Sequence, residues 1–445
     1  MKTLKAGFAR IDITPELGVN IVGYPNVRIA DGILDPLLAT AVAVSDGDTT
    51  AVMMSVDVIG IDQGNAQKIK TDIESRVGIS AEAVYIACTH THLGPATATI
   101  YEECCEEVAG VIYKKLVGLA KMAVDDLKPA EMFVNSADTP TDISFIRRFK
   151  MKDGSTQTNP GMHNPEVLHA IGEPDKRVAL VTFKRENAPE IALINFQVHP
   201  DVIHGEKFSA DYPYFVRKTY EAAVENSLCM YINGAQGDTN HCNINAPKGY
   251  PSLYPLSEHM GRVIAGVAMG LRATAKKIKD VPVCAFNKTI EVPYNKAESE
   301  EELKEAALID KLWNEGRIAE YTDAQGQILT TIVFSAKNKL RMAELPDTKE
   351  LYISGLSVGD FAIVGFPGEP FTEYGRRAKA ASKFEMTFAS CCTNGYEGYY
   401  PVASAYDEGG YEAGTARYKR EVADGLINGA IEILDTLYEK ADLNK

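Results

Sequence analysis

Two histidines one residue apart close a short apolar run, Tyr85-Ile86-Ala87-Cys88-Thr89-His90-Thr91-His92, and Leu93-Gly94-Pro95 follows. Residues two apart on a strand share a face, so His90 and His92 can serve one site at the carboxyl end of a buried strand. Imidazole is both a metal ligand and a proton carrier near neutral pH. The pair can therefore offer a ligand and leave the other ring for acid–base or substrate work. Gly94-Pro95 then breaks the strand and leaves the histidines at a rim. Taken alone, the pair reads first as two polar residues in a turn. Further strand ends change that balance. Asn195-Phe196-Gln197-Val198-His199 ends on a histidine, and Gly365-Phe366-Pro367-Gly368-Glu369 presents a glutamate at an expected helix start. A strand around Met230 runs into the Gly-rich loop Asn233-Gly234-Ala235-Gln236-Gly237-Asp238-Thr239-Asn240-His241. A tyrosine-rich run, Asn394-Gly395-Tyr396-Glu397-Gly398-Tyr399-Tyr400, precedes Tyr406 and Tyr411. Two histidines, a carboxylate and an open position are the make-up of a hydrolytic zinc site, where bound water reaches a pKa of about 7.

Elements must carry these residues to one place. Apolar runs at 51–58, 83–88, 190–198, 227–232, 351–358, 361–366 and 386–390 read as strands. Helical periodicity runs over 106–127, where Val108, Ile112, Leu116, Leu119, Ala123 and Leu127 form one face, and over 212–225, 256–275 and 417–438. Strand–helix alternation predicts an α/β (mixed α+β) fold with helices covering the sheets. In such folds, sites form at the carboxyl ends of strands, where His90, His199 and Glu369 fall. Residues 150–175, rich in Gly, Pro, Asn and Thr, read as a long loop. Residues 296–345, charged at first and carrying the single tryptophan Trp313, read as a helical insertion or lid, or equally as a solvated helix without a role. No repeat or low-complexity linker divides the chain, so residues 1–445 are expected to form one domain.

The balance of 46 basic against 61 acidic residues gives a net charge of −15 with no long basic run, which argues against a nucleic-acid partner. No apolar stretch is long enough to span a bilayer, and Met1-Lys2-Thr3-Leu4-Lys5 runs directly into polar sequence without a signal-type core. The eight cysteines form no CxxC pair or secreted framework, so reduced thiols in a cytoplasm are expected.

Together these segments resemble the neutral (non-lysosomal) ceramidase family, over Gly7-Phe8-Ala9-Arg10-Ile11-Asp12-Ile13-Thr14-Pro15 to about Tyr418. The motifs that carry the resemblance are Thr-His-Thr-His-x-Gly-Pro, the strand ending at His199, Gly237-Asp238, Pro367-Gly368-Glu369 and the tyrosine cluster. The resemblance implies a ceramidase-like catalytic domain of mixed sheets covered by helices, with a metal site at strand carboxyl ends. It implies one Zn2+ per chain held by His90, His199, Glu369 and Tyr399, and leaves room for a second, structural divalent ion. It places His92 beside the scissile group, Tyr411 on the reacting carbonyl, and Arg147 on the substrate, with Arg148 as the close second. The implied chemistry is attack of metal-bound hydroxide on an amide carbonyl.

The sequence departs from that family in several places. His199 is followed by Pro200-Asp201 where the family has Gly-Thr-Ser, and Thr239-Asn240-His241 stands where it has Val-Ser-Pro. Neither a signal segment nor the family's additional immunoglobulin-like domain is recognisable. The expected activity is thus hydrolysis of an N-acyl or other amide bond in a small, soluble molecule. Ceramidase proper, a zinc esterase, lactonase or lyase, and a non-catalytic metal-binding homologue are the alternatives. His204 and His241 read either as pocket-lining residues or as surface histidines. Asp211 reads as a partner of a ligand histidine or as a helix N-cap before Pro213, and Asp57 and Asp238 as further such partners. The paired cysteines Cys104-Cys105 and Cys391-Cys392 read as apolar filler.

Overall fold

Parallel strand pairs need a crossover, and three such pairs organise this molecule. The computed structural model describes residues 3–24, 26–98, 104–279 and 281–442, so the Met1-Lys2 start quoted above lies outside it. The first pair is Thr50–Val56 with Val84–Cys88, joined through the helix Gln63–Val77. The second is Glu190–Phe196 with Ser227–Asn233, joined through the helix Tyr212–Ala223. The third is Phe361–Gly365 with Met386–Ser390, joined through the helix Thr372–Ala381. Each pair reads as an apolar run because both of its faces are buried.

The first two pairs lie at opposite ends of one nine-stranded mixed sheet. Antiparallel strands Leu38–Ser45, Lys5–Asp12, Lys128–Asp138 and Arg177–Arg185 link them, and Lys276–Ile278 pairs beside Lys128–Asp138. The third pair belongs to a four-stranded sheet with Val283–Pro293 and Thr348–Val358. The two ends of the large sheet meet through the Ser55 hydroxyl, which donates to the Tyr231 carbonyl at 2.5 Å. The smaller sheet is tied to the histidine strand through residues 392–394: Cys88 N–H donates to the Cys392 carbonyl and Asn394 N–H to that of Ile86. All three parallel pairs therefore direct their carboxyl ends to one region.

The expected strands and helices are present, with ends shifted by a few residues. One segment differs from expectation. Residues 150–175 are not simply a loop, since Arg148–Met151, Thr156–Thr158 and Val167–Ala170 form a three-stranded sheet. Its first hairpin closes at Asp153-Gly154, where Gly154 takes the positive φ of 87° that the turn requires. The 296–345 segment contains two helices, Glu300–Asn314 and Gly326–Ala343. Ser299 caps the first by accepting from Glu302 N–H at 3.2 Å. Ala306, Ile309, Val333 and Ala336 pack between them, with Trp313 against this small cluster. Among the described residues, no helix is long and apolar enough to cross a membrane.

Candidate metal centre

After Cys88 the chain leaves the strand sharply. His90 has φ = 70°, a left-handed conformation uncommon for a residue with a side chain, and one that recurs where function fixes the backbone. Its amide donates to the Val58 carbonyl. Its Nδ1 lies 2.8 Å from the Ile59 carbonyl oxygen, which fixes Nδ1 as the donor and leaves Nε2 free to act as a ligand. His90 Nε2 is 3.2 Å from His199 Nε2 and 3.2 Å from Glu369 Oε2. His199 Nε2 is 3.1 Å from His92 Nε2 and 3.6 Å from Glu369 Oε2. Four donor atoms thus arrive from the carboxyl ends of the three parallel pairs. A tetrahedral zinc with ligands at about 2.0–2.1 Å has edges of roughly 3.3–3.4 Å, close to the 3.2, 3.2 and 3.6 Å among His90 Nε2, His199 Nε2 and Glu369 Oε2.

The electrostatics fit a cation. Glu369 Oε2 is buried with no hydrogen-bond donor, as are His92 Nδ1 and His199 Nδ1 with no partner. A buried carboxylate oxygen left so, facing imidazole nitrogens, is costly unless a positive charge meets it. Burial would push the Glu369 carboxyl up, but His90, His199 and Arg147 together hold it well below the usual range. Burial pulls the His199 imidazole down to about 3, with Arg147 and His90 adding to the effect. His92 falls well below its ordinary value through burial and its two histidine neighbours. Burial also pulls His90 down, but Glu369, Cys391 and the Ile59 carbonyl reverse this, and the net shift is upward. The buried trio His90, His92 and His199 could therefore hold a metal ion. His92, expected beside the metal, belongs geometrically to this group. It is also the most exposed of the three, at 8% against 1% for His90 and 0% for His199.

The other expected residues lie around this group. Tyr399 and Tyr400 pair in parallel with Glu369 and Pro370. The Tyr399 ring packs 5.6 Å from that of Tyr411 and 5.3 Å beneath the Arg147 guanidinium. Arg147 is buried, with Nε 2.7 Å from Glu412 Oε1 and Nη2 donating to the Gly237 carbonyl at 2.8 Å. Arg148 is also buried and is engaged by Glu408 at 3.1 Å and by the Gly409 carbonyl at 2.8 Å. The helix Gly326–Ala343 packs on this region, with Asn338 Nδ2 donating to the Thr415 carbonyl. His204 and His241 stand outside the trio. His204 Nδ1 is 2.8 Å from the Tyr24 hydroxyl, and His241 Nδ1 is 3.1 Å from Asp201 Oδ1.

Three carboxylates weighed as partners of a ligand histidine hold other groups. Asp211 is the N-cap of the Tyr212–Ala223 helix and also accepts from Val202 and Ile203 N–H, two backbone groups just beyond His199. Asp57 pairs with Arg217 at 2.6 Å and accepts from the Thr89 hydroxyl at 3.1 Å. Asp238 accepts from the Thr372 amide and hydroxyl, both at 2.7 Å, and so secures the helix that follows Glu369. Cys391 and Cys392 are buried as expected, yet Cys392 Sγ also lies 3.5 Å from His90 Nδ1.

Sequence reasoning passed over two tyrosines. Tyr396 donates to Glu369 Oε1 at 2.9 Å and its ring lies 5.6 Å from that of His90. It stood in the tyrosine run, but nothing in the spacing separated it from Tyr399. Tyr24 lies edge-on to His92 with ring centroids 5.2 Å apart, and Gly23 before it presses on the same ring. No local pattern signals that contact, which joins two segments distant in sequence.

No family model matches the chain. Solved structures do. The neutral ceramidase from Pseudomonas aeruginosa is similar with a TM-score of 0.76 and 17% identity, over 99% of this chain and 75% of that one. A ceramidase complexed with C2 is similar with a TM-score of 0.74 and 16% identity, over 99% of this chain and 76% of that one. Identities this low establish a shared fold, and residue roles must be argued from the site itself.

Proposed function

Because the chain carries the neutral-ceramidase fold, we propose that it is a zinc-dependent hydrolase of amide bonds, acting on a small N-acyl compound. The observation that carries this reading is the convergence of His90 Nε2, His199 Nε2 and Glu369 Oε2, buried and 3.2–3.6 Å apart at the carboxyl ends of three parallel strand pairs, with His92 Nε2 3.1 Å from His199 Nε2. His90, His199 and Glu369 hold one zinc per chain, and Tyr399, which runs alongside Glu369, is the fourth ligand. Zinc bound there supplies Lewis acidity toward a carbonyl and lowers the pKa of water to about 7. His92, the trio's most exposed member, carries a proton at Nε2 between the reacting groups and the leaving amine. Tyr411 donates its hydroxyl to the carbonyl oxygen as charge develops there. Arg147 acts through Tyr399, since its guanidinium is already committed to Glu412 and Gly237. Arg148 steadies the same segment, and His204 and His241 line the rim. The helices at 300–343 form a lid over the turn that carries Tyr411. The whole chain acts as one catalytic domain on a small-molecule substrate. A cytoplasmic location accords with eight free cysteines.

One observation favours a second reading, hydrolysis of a ceramide-like lipid. Val27, Ile29 and Ile33 are exposed on the segment that brings Tyr24 to His92. Release of fatty acid or free amine from a panel of N-acyl amino acids, N-acyl amines and detergent-dispersed ceramide separates the two. Turnover of the small compounds is expected, turnover of ceramide alone would favour the lipid, and no release from any of them would remove the amidase reading. The His92→Ala variant is expected to keep about one zinc per chain and lose turnover by about a hundredfold or more. Loss of the zinc instead would move His92 into the ligand set.

A further inference from the structure

A second constellation of ionisable and nucleophilic groups stands outside the histidine trio. Asp201 comes from the loop after His199, and His241 and Cys242 come from the loop after the Ser227–Asn233 strand. His241 bridges the other two. Its Nδ1 lies 3.1 Å from Asp201 Oδ1, and its Nε2 lies 3.6 Å from Cys242 Sγ. Carboxylate, imidazole and thiol in this order form the arrangement that activates a thiol: the carboxylate orients the ring, and the ring takes the thiol proton. The turn is held by Cys242 N–H, which donates to Asn240 Oδ1 at 3.0 Å. Burial lowers the His241 pKa, but the Asp201 and Cys242 contacts outweigh it and raise it, which strengthens the ring as an acceptor for the thiol proton.

Accessibility separates Cys242 from most of the other cysteines. Cys88, Cys229, Cys391 and Cys392 are buried, whereas Cys242, Cys104, Cys105 and Cys284 are half-buried. At Cys104, burial and the carboxylates of Asp62 and Glu106 push the thiol up. Cys242 is also close enough to Tyr24 for their charges to interact, and Tyr24 flanks His92.

We propose that Cys242 is an activated thiol at the rim of the metal centre, a covalent modification site for soft carbon electrophiles such as α,β-unsaturated carbonyl compounds. His241 takes the thiol proton and Cys242 Sγ attacks the β-carbon. A C–S bond forms, the C=C π pair moves to the α-carbon, and the imidazolium delivers its proton there. With the probe iodoacetamide, the C–S bond forms as the C–I bond breaks, iodide leaves with the electron pair, and the proton on His241 passes to water. This inference does not rest on the amidase reading, because it needs neither the metal nor a substrate.

The test is alkylation of the full-length protein with limiting iodoacetamide at pH 7, with the labelled cysteine identified by peptide mass spectrometry. Cys242 is expected to react about tenfold faster than Cys104, Cys105 and free N-acetylcysteine, and His241→Asn to bring it down to the free-thiol rate. Labelling of Cys242 no faster than Cys104 in the wild-type protein would overturn the proposal, without recourse to a variant. An unchanged Cys242 rate in a folded His241→Asn protein, judged by circular dichroism, would overturn it as well. Metal content of the same samples is read separately, so failure here and failure of the metal reading are distinguishable.

Discussion

His90 shows how much a single position is asked to do. Its backbone adopts φ = 70° so that the ring can turn back, Nδ1 is held by the Ile59 carbonyl, and Nε2 is left facing His199 and Glu369. The Thr-His-Thr-His pattern made the histidines legible as a pair, because spacing on a strand is a local property. The partners that orient them were not legible, since Ile59, Tyr396 and Tyr24 reach them only through the fold. Asp211 illustrates a choice the sequence left open, and the helix cap is what the structure contains. Another buried charge was invisible in the sequence for the same reason. Lys70 lies on the inner side of its helix with no hydrogen-bond acceptor for Nζ among the described residues, 4.6 Å from the Tyr352 ring centroid. Burial lowers its pKa to about 8, with Glu82 opposing. A base whose folded pKa is depressed penalises folding fully below about pH 8, and the penalty fades as pH rises toward 10.5. Lys70→Met is therefore expected to raise unfolding free energy by about 1–3 kcal/mol at pH 7 and by less at pH 10. Urea unfolding at the two pH values checks this, and equal gains at both would count against it.

Among elements, the unit that matters is the parallel pair with its crossover helix, repeated three times. Its strands were legible because both faces are buried and the sequence runs apolar without alternation. The linking strands were harder to read. Val283–Pro293 and Lys128–Asp138 are largely half-buried, and Leu38–Ser45 is rich in alanine, which has weak strand preference. The hairpin at Asp153-Gly154 was obscured by the polar composition around it. The loop at 233–238 shows how one element sets another. Gly237 donates its N–H to the Pro370 carbonyl, and a Cβ there would stand 2.4 Å from the Glu369 carbonyl oxygen. Backbone cannot yield as a side-chain tip can, so Gly237→Ala should displace Glu369 and cost about 1–3 kcal/mol. The variant is expected to release metal to a chelator faster than wild type does in a timed dialysis. Retention at the wild-type rate would show that the close approach does not hold Glu369 in place.

At the scale of the molecule, two sheets share one task. The nine-stranded sheet brings the histidines and the four-stranded sheet brings Glu369, so the candidate metal centre forms only where the two are joined. Residues 392–394 make that junction by hydrogen bonding along the histidine strand. The α/β character and the meeting of strand ends could be read from sequence, but the join between sheets could not, because no local pattern encodes it. Two ceramidase structures share this fold at 16–17% identity. The most direct test is metal content by plasma mass spectrometry for the wild-type protein beside His199→Ala. The account predicts about one zinc per chain in the wild type and its loss in the variant, because removing one of four donors opens the site. Equal zinc in both proteins, or none in either, would contradict it.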